Sequence, residues 1–418
     1  MKTGQFANKY DLTSNGIRYY IEQGLLTPKK KGAQYDFDEE CVEQMEKIQQ
    51  LKKMHFTLGE ISRVFHVNYL IQHTLNSKAR RKYNRIFYSK IEELKMIIES
   101  LQGCIDDLEQ SLLPVEDVEN DVICGLPVSR ISMLRCPRCD RDLDFNDTVI
   151  RSGRIVSGNV QCRCGYSLEI SDGILIDHEE EPRQMNIEWS NLLNLLSEYS
   201  TEYINLEAKS YYYLKTELLK ELRTKDPQAF KGVVFTTGGY AGDFICKYHE
   251  MFHPDSVLIV ADQSIDVLSY IKEKLGRLNE LYDIIYICDN AFDLPLKKGI
   301  IDFFLDDYSS SEFIFYNPEY PLQKIYPQLK DRAICAGVFT YYSHSAKTLA
   351  TIKKEYAHAH IPLFYLDTFK RHLKANGIEI RSEKNIGQTN DPGIGAAFDY
   401  HAEGDALHFH TYYGHLKK

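Results

Sequence analysis

Thr13-Ser14-Asn15-Gly16-Ile17-Arg18-Tyr19-Tyr20-Ile21-Glu22-Gln23-Gly24-Leu25-Leu26-Thr27-Pro28 is the stretch around which the chain organises itself. Thr13 or Ser14 offers a side-chain oxygen to cap a helix opening near residue 15. Gly24 is placed to end that helix, because glycine enters the left-handed conformation without steric cost. Upstream, Thr3–Tyr10 carries a short amphipathic pattern with Thr3 as its N-cap, and Asp11-Leu12-Thr13 makes a tight turn. Two short helices across such a turn form a helix-turn-helix. Downstream, Pro28–Tyr35 holds Lys29, Lys30 and Lys31 in a basic loop between short extended segments, which is a wing. A helix is expected over about Asp38–Met54, with Val42, Met45, Ile48 and Leu51 on one face. Thr57-Leu58-Gly59-Glu60 is a capping box opening a further helix over Leu58–Val64.

The charge distribution agrees with a nucleic-acid-binding head. The whole chain of 418 residues carries a net charge of −10. Residues 1–35 nevertheless hold six Lys/Arg against two acids, and residues 77–90 hold six basic residues and no acid. A basic start on an acidic body points to DNA for the head and a different partner for the rest. With 43% hydrophobic and 26% charged residues, the chain is neither disordered nor collagen-like, and its length predicts two to four domains. No run of about eighteen apolar residues occurs, so no membrane-spanning helix is expected. The first residues lack the apolar core of a signal peptide, which points to the cytoplasm.

The motifs Ile17-Arg18-Tyr19-Tyr20, Gly24-Leu25-Leu26-Thr27-Pro28, Tyr35-x-Phe37-Asp38-Glu39-Glu40 and Phe56-Thr57-Leu58-x-Glu60-Ile61 occur in this order. In that order they resemble the MerR family of transcriptional regulators over about residues 1–66. The resemblance implies that Ser14, Asn15 and Arg18 face the DNA major groove. It implies phosphate contacts for Tyr19, Tyr20 and the wing lysines, with Thr3 and Tyr35 on the same DNA-binding face. On the residues alone, lysines supply salt-dependent, sequence-independent affinity. Arg18 can reach a guanine edge or a phosphate, and Tyr19-Tyr20 serve equally well as core aromatics. The family usually has Arg after the wing tyrosine. Here Asp36 stands there, an acid that repels phosphate and shifts or weakens the wing contacts.

From Phe87 the apolar residues Phe87, Ile91, Leu94, Ile98, Leu101, Ile105, Leu108 and Leu112 alternate four and three apart, and Pro114 ends the run. This is a coiled-coil seam, or else one long helix packed on its own chain. Gly103 weakens the helix by ~1 kcal/mol. By resemblance it is an antiparallel pair joining two DNA-binding heads in a homodimer on palindromic operator DNA. RNA polymerase at the promoter would be the further partner, and a small molecule would change the angle between heads and untwist the DNA.

Four of the ten cysteines fall in two close pairs, Cys136-Pro-Arg-Cys139 and Cys162-Arg-Cys164. Paired thiolates at this spacing complete a tetrahedral structural zinc site; the alternatives are a redox pair or unpaired thiols. Between them a hairpin is expected, with turns at Ser152-Gly153 and Ser157-Gly158. Tyr166–Leu175 alternates like a further strand pair. The module resembles the zinc ribbons beside some class I methyltransferases.

After residue 231, strands and helices alternate, which predicts a doubly wound α/β sheet with ligands at the carboxyl ends of its strands. The order resembles a class I S-adenosylmethionine-dependent methyltransferase. By that resemblance Gly238, Gly239 and Gly242 approach the methionine part of the cofactor, Asp262 takes the ribose hydroxyls, and Asp289-Asn290 holds the adenine. The first strand reads Phe235-Thr236-Thr237, so the acid that would orient the cofactor's amine is absent. Asp306-Asp307-Tyr308 is expected to form a polar edge, and no catalytic residue stands out. Three readings stay open: a reused fold, a cofactor sensor, or an active methyltransferase. The resulting architecture is multidomain α+β and α/β. It comprises a winged helix-turn-helix (1–75), a coiled-coil helix (78–113), a zinc ribbon (131–178) and a Rossmann-like methyltransferase-type sheet (185–418).

Overall fold

A computed structural model describes residues 1–32, 34–73, 77–112, 122–178, 199–221, 230–238, 240, 242–393 and 398–418. The Pro114 helix stop, the region around Trp189, and Gly239 lie outside the described residues. Met1–Val118 and Glu119–Lys418 form two compact units.

In the first unit, α1 (Thr3–Lys9) and α2 (Ser14–Glu22) form the helix-turn-helix. Thr13 is the cap of α2, its Oγ1 accepting the Gly16 N–H at 3.1 Å. Thr3 is the first helical residue of α1 and not its cap, a place taken by Lys2. Gly24 has φ +68°, and its N–H closes onto the Ile21 carbonyl. The wing is the antiparallel pair β1 (Lys29–Lys31) and β2 (Gln34–Asp36). α3 (Glu39–Lys53) is capped by Asp38 and buries Cys41, Met45, Ile48 and Leu51, so Cys41 lies deeper than Val42. Phe6 stacks on Phe37 at 4.3 Å, tying α1 to the base of the wing.

The capping box forms as expected: Thr57 N–H donates to Glu60 Oε2 at 2.7 Å and Glu60 N–H to Thr57 Oγ1 at 3.4 Å. The helix it opens, α4 (Leu58–His73), runs well past Val64. α5 (Ser77–Gln110) then extends for 34 residues. Its first turns join the core through Tyr83, Ile86 and Phe87. Lys90, only 3% exposed, pairs with Glu60 at 2.9 Å and Glu93 at 2.8 Å, with its ammonium over the Phe56 ring. Further on, Ile98 (64%), Leu101 (58%) and Leu108 (69%) stand exposed on a stripe with Ile91, Ile105 and Leu112.

In the second unit, short β3 (Leu126–Pro127) and the hairpin β4 (Asp144–Arg151) and β5 (Arg154–Gln161) come first. Ser152 and Gly153 both take positive φ, +47° and +75°, as a two-residue hairpin turn demands. Ser157-Gly158 is not a second turn. It lies inside β5, where Asp147 and Thr148 bulge opposite it and a Cβ on Gly158 would sit 2.9 Å from Thr148 Cγ2. β6 (Ser167–Ser171) and β7 (Ile174–Ile176) join through Asp172-Gly173. After α6 (Thr201–Glu221) come β8 (Val233–Thr237), α7 (Asp243–Tyr248), β9 (Val257–Asp262), α8 (Ile265–Lys274), β10 (Asp283–Cys288) and β11 (Ile301–Asp307). Two short helices follow, α9 (Ser309–Phe313) and α10 (Pro321–Ile325). Then follow β12 (Leu329–Tyr341), α11 (Thr348–Glu355), α12 (Leu366–Ala375), β13 (Ile378–Thr389) and β14 (Leu407–Leu416).

The sheet order is β13-β14-β12-β11-β8-β9-β10-β7-β6-β5-β3, with β4 beside β5. Strands β12, β11, β8, β9 and β10 are parallel, and β14 runs antiparallel at one side. This is the expected doubly wound, Rossmann-like sheet, reversing direction between β8 and β11. The cysteine hairpins continue the same sheet, because β7 pairs parallel to β10 in the register Tyr286↔Ile174. Arg154 fastens that junction, donating to the Asn279 carbonyl at 2.7 Å, while Arg130 pairs with Asp283 at 2.7 Å.

Lys90→Ala is expected to destabilise the first unit by about 1–2 kcal/mol. A fully buried pair would cost roughly 3–5 kcal/mol, but Glu60 and Glu93 reach solvent once released. Urea unfolding followed by far-ultraviolet circular dichroism checks this.

Candidate functional sites

The face of α2 divides cleanly. Ile17 and Tyr20 enter the core, while Ser14, Asn15, Arg18 and Tyr19 are exposed side by side. Tyr20, expected at phosphate, is 4% exposed with the Lys52 ammonium over its ring, so it is a core aromatic. Tyr19 remains on the surface. Thr3 and Tyr35 are half-buried beside this face's supporting elements. The three wing lysines are all exposed but differ in charge environment. Lys29 pairs with Asp38 at 3.1 Å and Lys31 with Asp36 at 2.8 Å, whereas Lys30 has no ion pair among the described residues. Asp36 also meets the Met1 amino group at 3.2 Å. Lys31 and that amine hold the Asp36 carboxyl below its ordinary range, so it is charged at neutral pH and cancels a wing lysine.

In the second unit the four sulfurs of Cys136, Cys139, Cys162 and Cys164 lie within 4.8 Å of one another. Cys136 and Cys164 approach to 3.5 Å, as do Cys139 and Cys162. A tetrahedron with Zn–S bonds of about 2.3 Å has edges of about 3.8 Å, so the cluster fits a metal of this size. The geometry follows from two tight loops: the Asp140 N–H returns to the Cys136 carbonyl, and the Gly165 N–H to that of Cys162. Burial pushes the Cys136 thiol up to about 12; a divalent cation offsets that by stabilising thiolate. The C-x-C spacing of the second pair places both its sulfurs in the cluster. No other group of three or more His, Cys, Asp or Glu among the described residues is placed to hold a metal.

The second candidate site lies at the carboxyl ends of β8, β9, β10 and β11. Gly238, with φ +91°, donates its N–H to Asp262 Oδ2 at 3.2 Å, and Asp262 Oδ1 accepts from Ser264 N–H at 2.9 Å. Asp289 is 2% exposed; its Oδ1 accepts the Phe292 N–H at 2.8 Å, while Oδ2 is buried with no partner among the described residues. Burial, and next the Asp177 carboxylate, raise Asp289 to about 7. An unpartnered buried acceptor suits a ligand N–H donor such as an adenine amine. Asn290 turns its carbonyl to Gln263 Nε2 at 2.6 Å, holding the loop beside Asp289. Gly242 serves packing: a Cβ there would sit 2.8 Å from Leu275 Cδ2, where α7 meets α8.

Asp306 and Asp307 form no polar edge. Both are buried struts, since Asp306 accepts from Ser310 N–H, Ser310 Oγ and Tyr412 hydroxyl at 2.7–2.8 Å. Asp307 Oδ2 accepts the Phe244 N–H at 3.0 Å at the start of α7. Asp243 pairs with Lys274 at 2.7 Å. Sequence reasoning passed over Glu312 on α9 and Tyr240 beside the glycine turn. The only signal for Glu312 was an acid one turn into the helix after β11.

The model of the MerR HTH family regulatory protein matches residues 1–67. No curated protein matches the chain. Among solved structures, the crystal structure of MccD protein is 15% identical and covers 49% of this chain and 96% of its own, with TM-score 0.36. A SAM dependent methyltransferase from Aquifex aeolicus is 14% identical and covers 55% and 100%, with TM-score 0.35. Geranyl diphosphate C-methyltransferase from Streptomyces coelicolor A3(2) is 12% identical and covers 48% and 74%, with TM-score 0.35. The fold of the second unit rests on its own strand order. Residues 1–67 are a helix-turn-helix domain of the MerR regulatory family.

Proposed function

We propose that the chain is a dimeric, DNA-binding transcription regulator whose C-terminal sheet binds S-adenosylmethionine or a related nucleoside and reports it to the head. The observation that carries this reading is the apolar stripe of α5, left exposed directly after a DNA-binding head. A second copy covers that stripe and sets two heads on one palindromic operator. Ser14, Asn15 and Arg18 read base edges, while Tyr19, Lys29 and Lys30 hold phosphates. By family resemblance the operator lies in a promoter bound by RNA polymerase. Ligand shifts the equilibrium between two head arrangements by its differential affinity for them. Gly238, Asp262 and Asp289 would hold the nucleoside, and Cys136, Cys139, Cys162 and Cys164 a structural zinc ion. When bound, S-adenosylmethionine would supply an activated methyl group. A sensor is favoured over an enzyme because Asp306, Asp307 and Asp243 are all engaged as struts.

Selection from a random duplex pool tests the head: a two-fold symmetric site is expected, lost in Arg18→Ala, and enrichment of no sequence overturns the reading. Asp36→Asn releases Lys31, so DNA binding tightens and the log–log salt slope steepens by about 0.9, one added phosphate contact. Metal analysis should find one zinc per chain, lost together with thermal stability in Cys136→Ser and retained in Cys246→Ser. The pH dependence has a definite sign. Asp289 ionises near 7, and its charged form is the stronger acceptor, so affinity for S-adenosylmethionine rises between about pH 6 and 8. Calorimetric titration of Asp289→Asn should lose that rise.

A further inference from the structure

Strand β8 has no acid beside the glycine turn, but a carboxylate reaches that turn from α9, the helix that follows β11. α9 opens at Ser309, whose Oγ donates to the Thr237 carbonyl at 2.6 Å and accepts the Thr237 N–H at 3.4 Å. These bonds tie the start of α9 to the end of β8. Residues three apart share a helix face, so Glu312 points the same way as Ser309. Its carboxylate lies against Gly238, where an added Cβ would collide with Glu312 Oε2.

Tyrosines complete the surroundings. The Tyr199 and Tyr240 hydroxyls are 2.7 Å apart, and the Tyr203 hydroxyl donates to Tyr240 at 3.2 Å. Burial, then Tyr203, Tyr199 and the Glu312 carboxylate, raise the Tyr240 phenol, so the ring stays neutral. A carboxylate beside neutral phenol rings, over a residue with no side chain, is a receptor for a compact organic cation.

We propose that Glu312 accepts the ammonium of a ligand seated on Gly238, taking over across the sheet the role of the acid missing from β8. The inference rests on the nucleoside site proposed above and names its amino-acid end. The test is calorimetric titration of the full-length, zinc-loaded protein with two probes. S-adenosylmethionine carries the ammonium; 5′-methylthioadenosine keeps the nucleoside and a neutral thioether but lacks the whole amino-acid end and the sulfonium charge. Glu312→Gln should weaken S-adenosylmethionine roughly tenfold or more, the scale of a charge-assisted hydrogen bond, and leave methylthioadenosine unchanged. Asp262→Ala should weaken both. Equal S-adenosylmethionine affinity in wild type and Glu312→Gln, with Asp262→Ala still impaired, overturns the role of Glu312 and keeps the site. So does tighter binding in Glu312→Gln, which would make the carboxylate a plug, or equal weakening of both probes, which would mean general damage. Wild-type protein that binds neither probe overturns the site and the inference together.

Discussion

The apolar stripe of α5 is the constraint that the functional reading hangs on. Ile91, Ile98, Leu101, Ile105 and Leu108 stand exposed on one helix, at 46–69% exposure, and Leu112 just beyond its end is exposed as well. Completing the burial of each contributes on the order of 1 kcal/mol. Among the described residues this 34-residue helix is anchored near its start, through Ala79, Tyr83, Ile86, Phe87 and Lys90, and its far end stays exposed. The four-three spacing that makes the stripe also makes it self-complementary, since each ridge fits the groove of an identical helix. The same helix is gripped at its base by the Lys90–Glu60 pair, and Glu60 is the residue that closes the capping box of α4. A change in the angle of α5 therefore acts on the packing of the head.

Much of this was legible in the residues because it depends on local chemistry. Thr13, Gly24 and the Thr57–Glu60 box act within four residues of themselves, and the two cysteine pairs bring their own loop geometry. The acids at the strand ends follow from the alternation of strand and helix. Long-range choices were not legible. Nothing in Ile174-Leu175-Ile176 says that this strand pairs with β10, which merges the cysteine module into the large sheet. Ser157-Gly158 has turn composition, but the partner strand supplies the irregularity as a bulge. Tyr20 and Tyr19 are chemically identical, and only the helix rotation sends one inward. Asp306 and Asp307 read as an acidic edge because their partners, Tyr412 and the Phe244 N–H, come from distant segments.

The strand-end site draws its character from burial. Desolvation and a second carboxylate raise Asp289 to about 7, and one of its oxygens lacks a partner among the described residues. Such an arrangement is costly unless a donor completes it, and it stands at the carboxyl end of β10, an interior strand between β9 and β7. The wing shows the opposite economy: Asp36 and Asp38 each neutralise a lysine that could otherwise meet phosphate. On the proposed reading this moderates affinity for DNA and leaves the α2 face a larger share in choosing the site.

Sedimentation equilibrium of the full-length protein at micromolar concentration bears most directly on the central proposal, that two chains pair through α5. A dimer is expected, converted to monomer by Leu101→Asp with Ile105→Asp. A wild-type monomer, or a dimer indifferent to both substitutions, would contradict it.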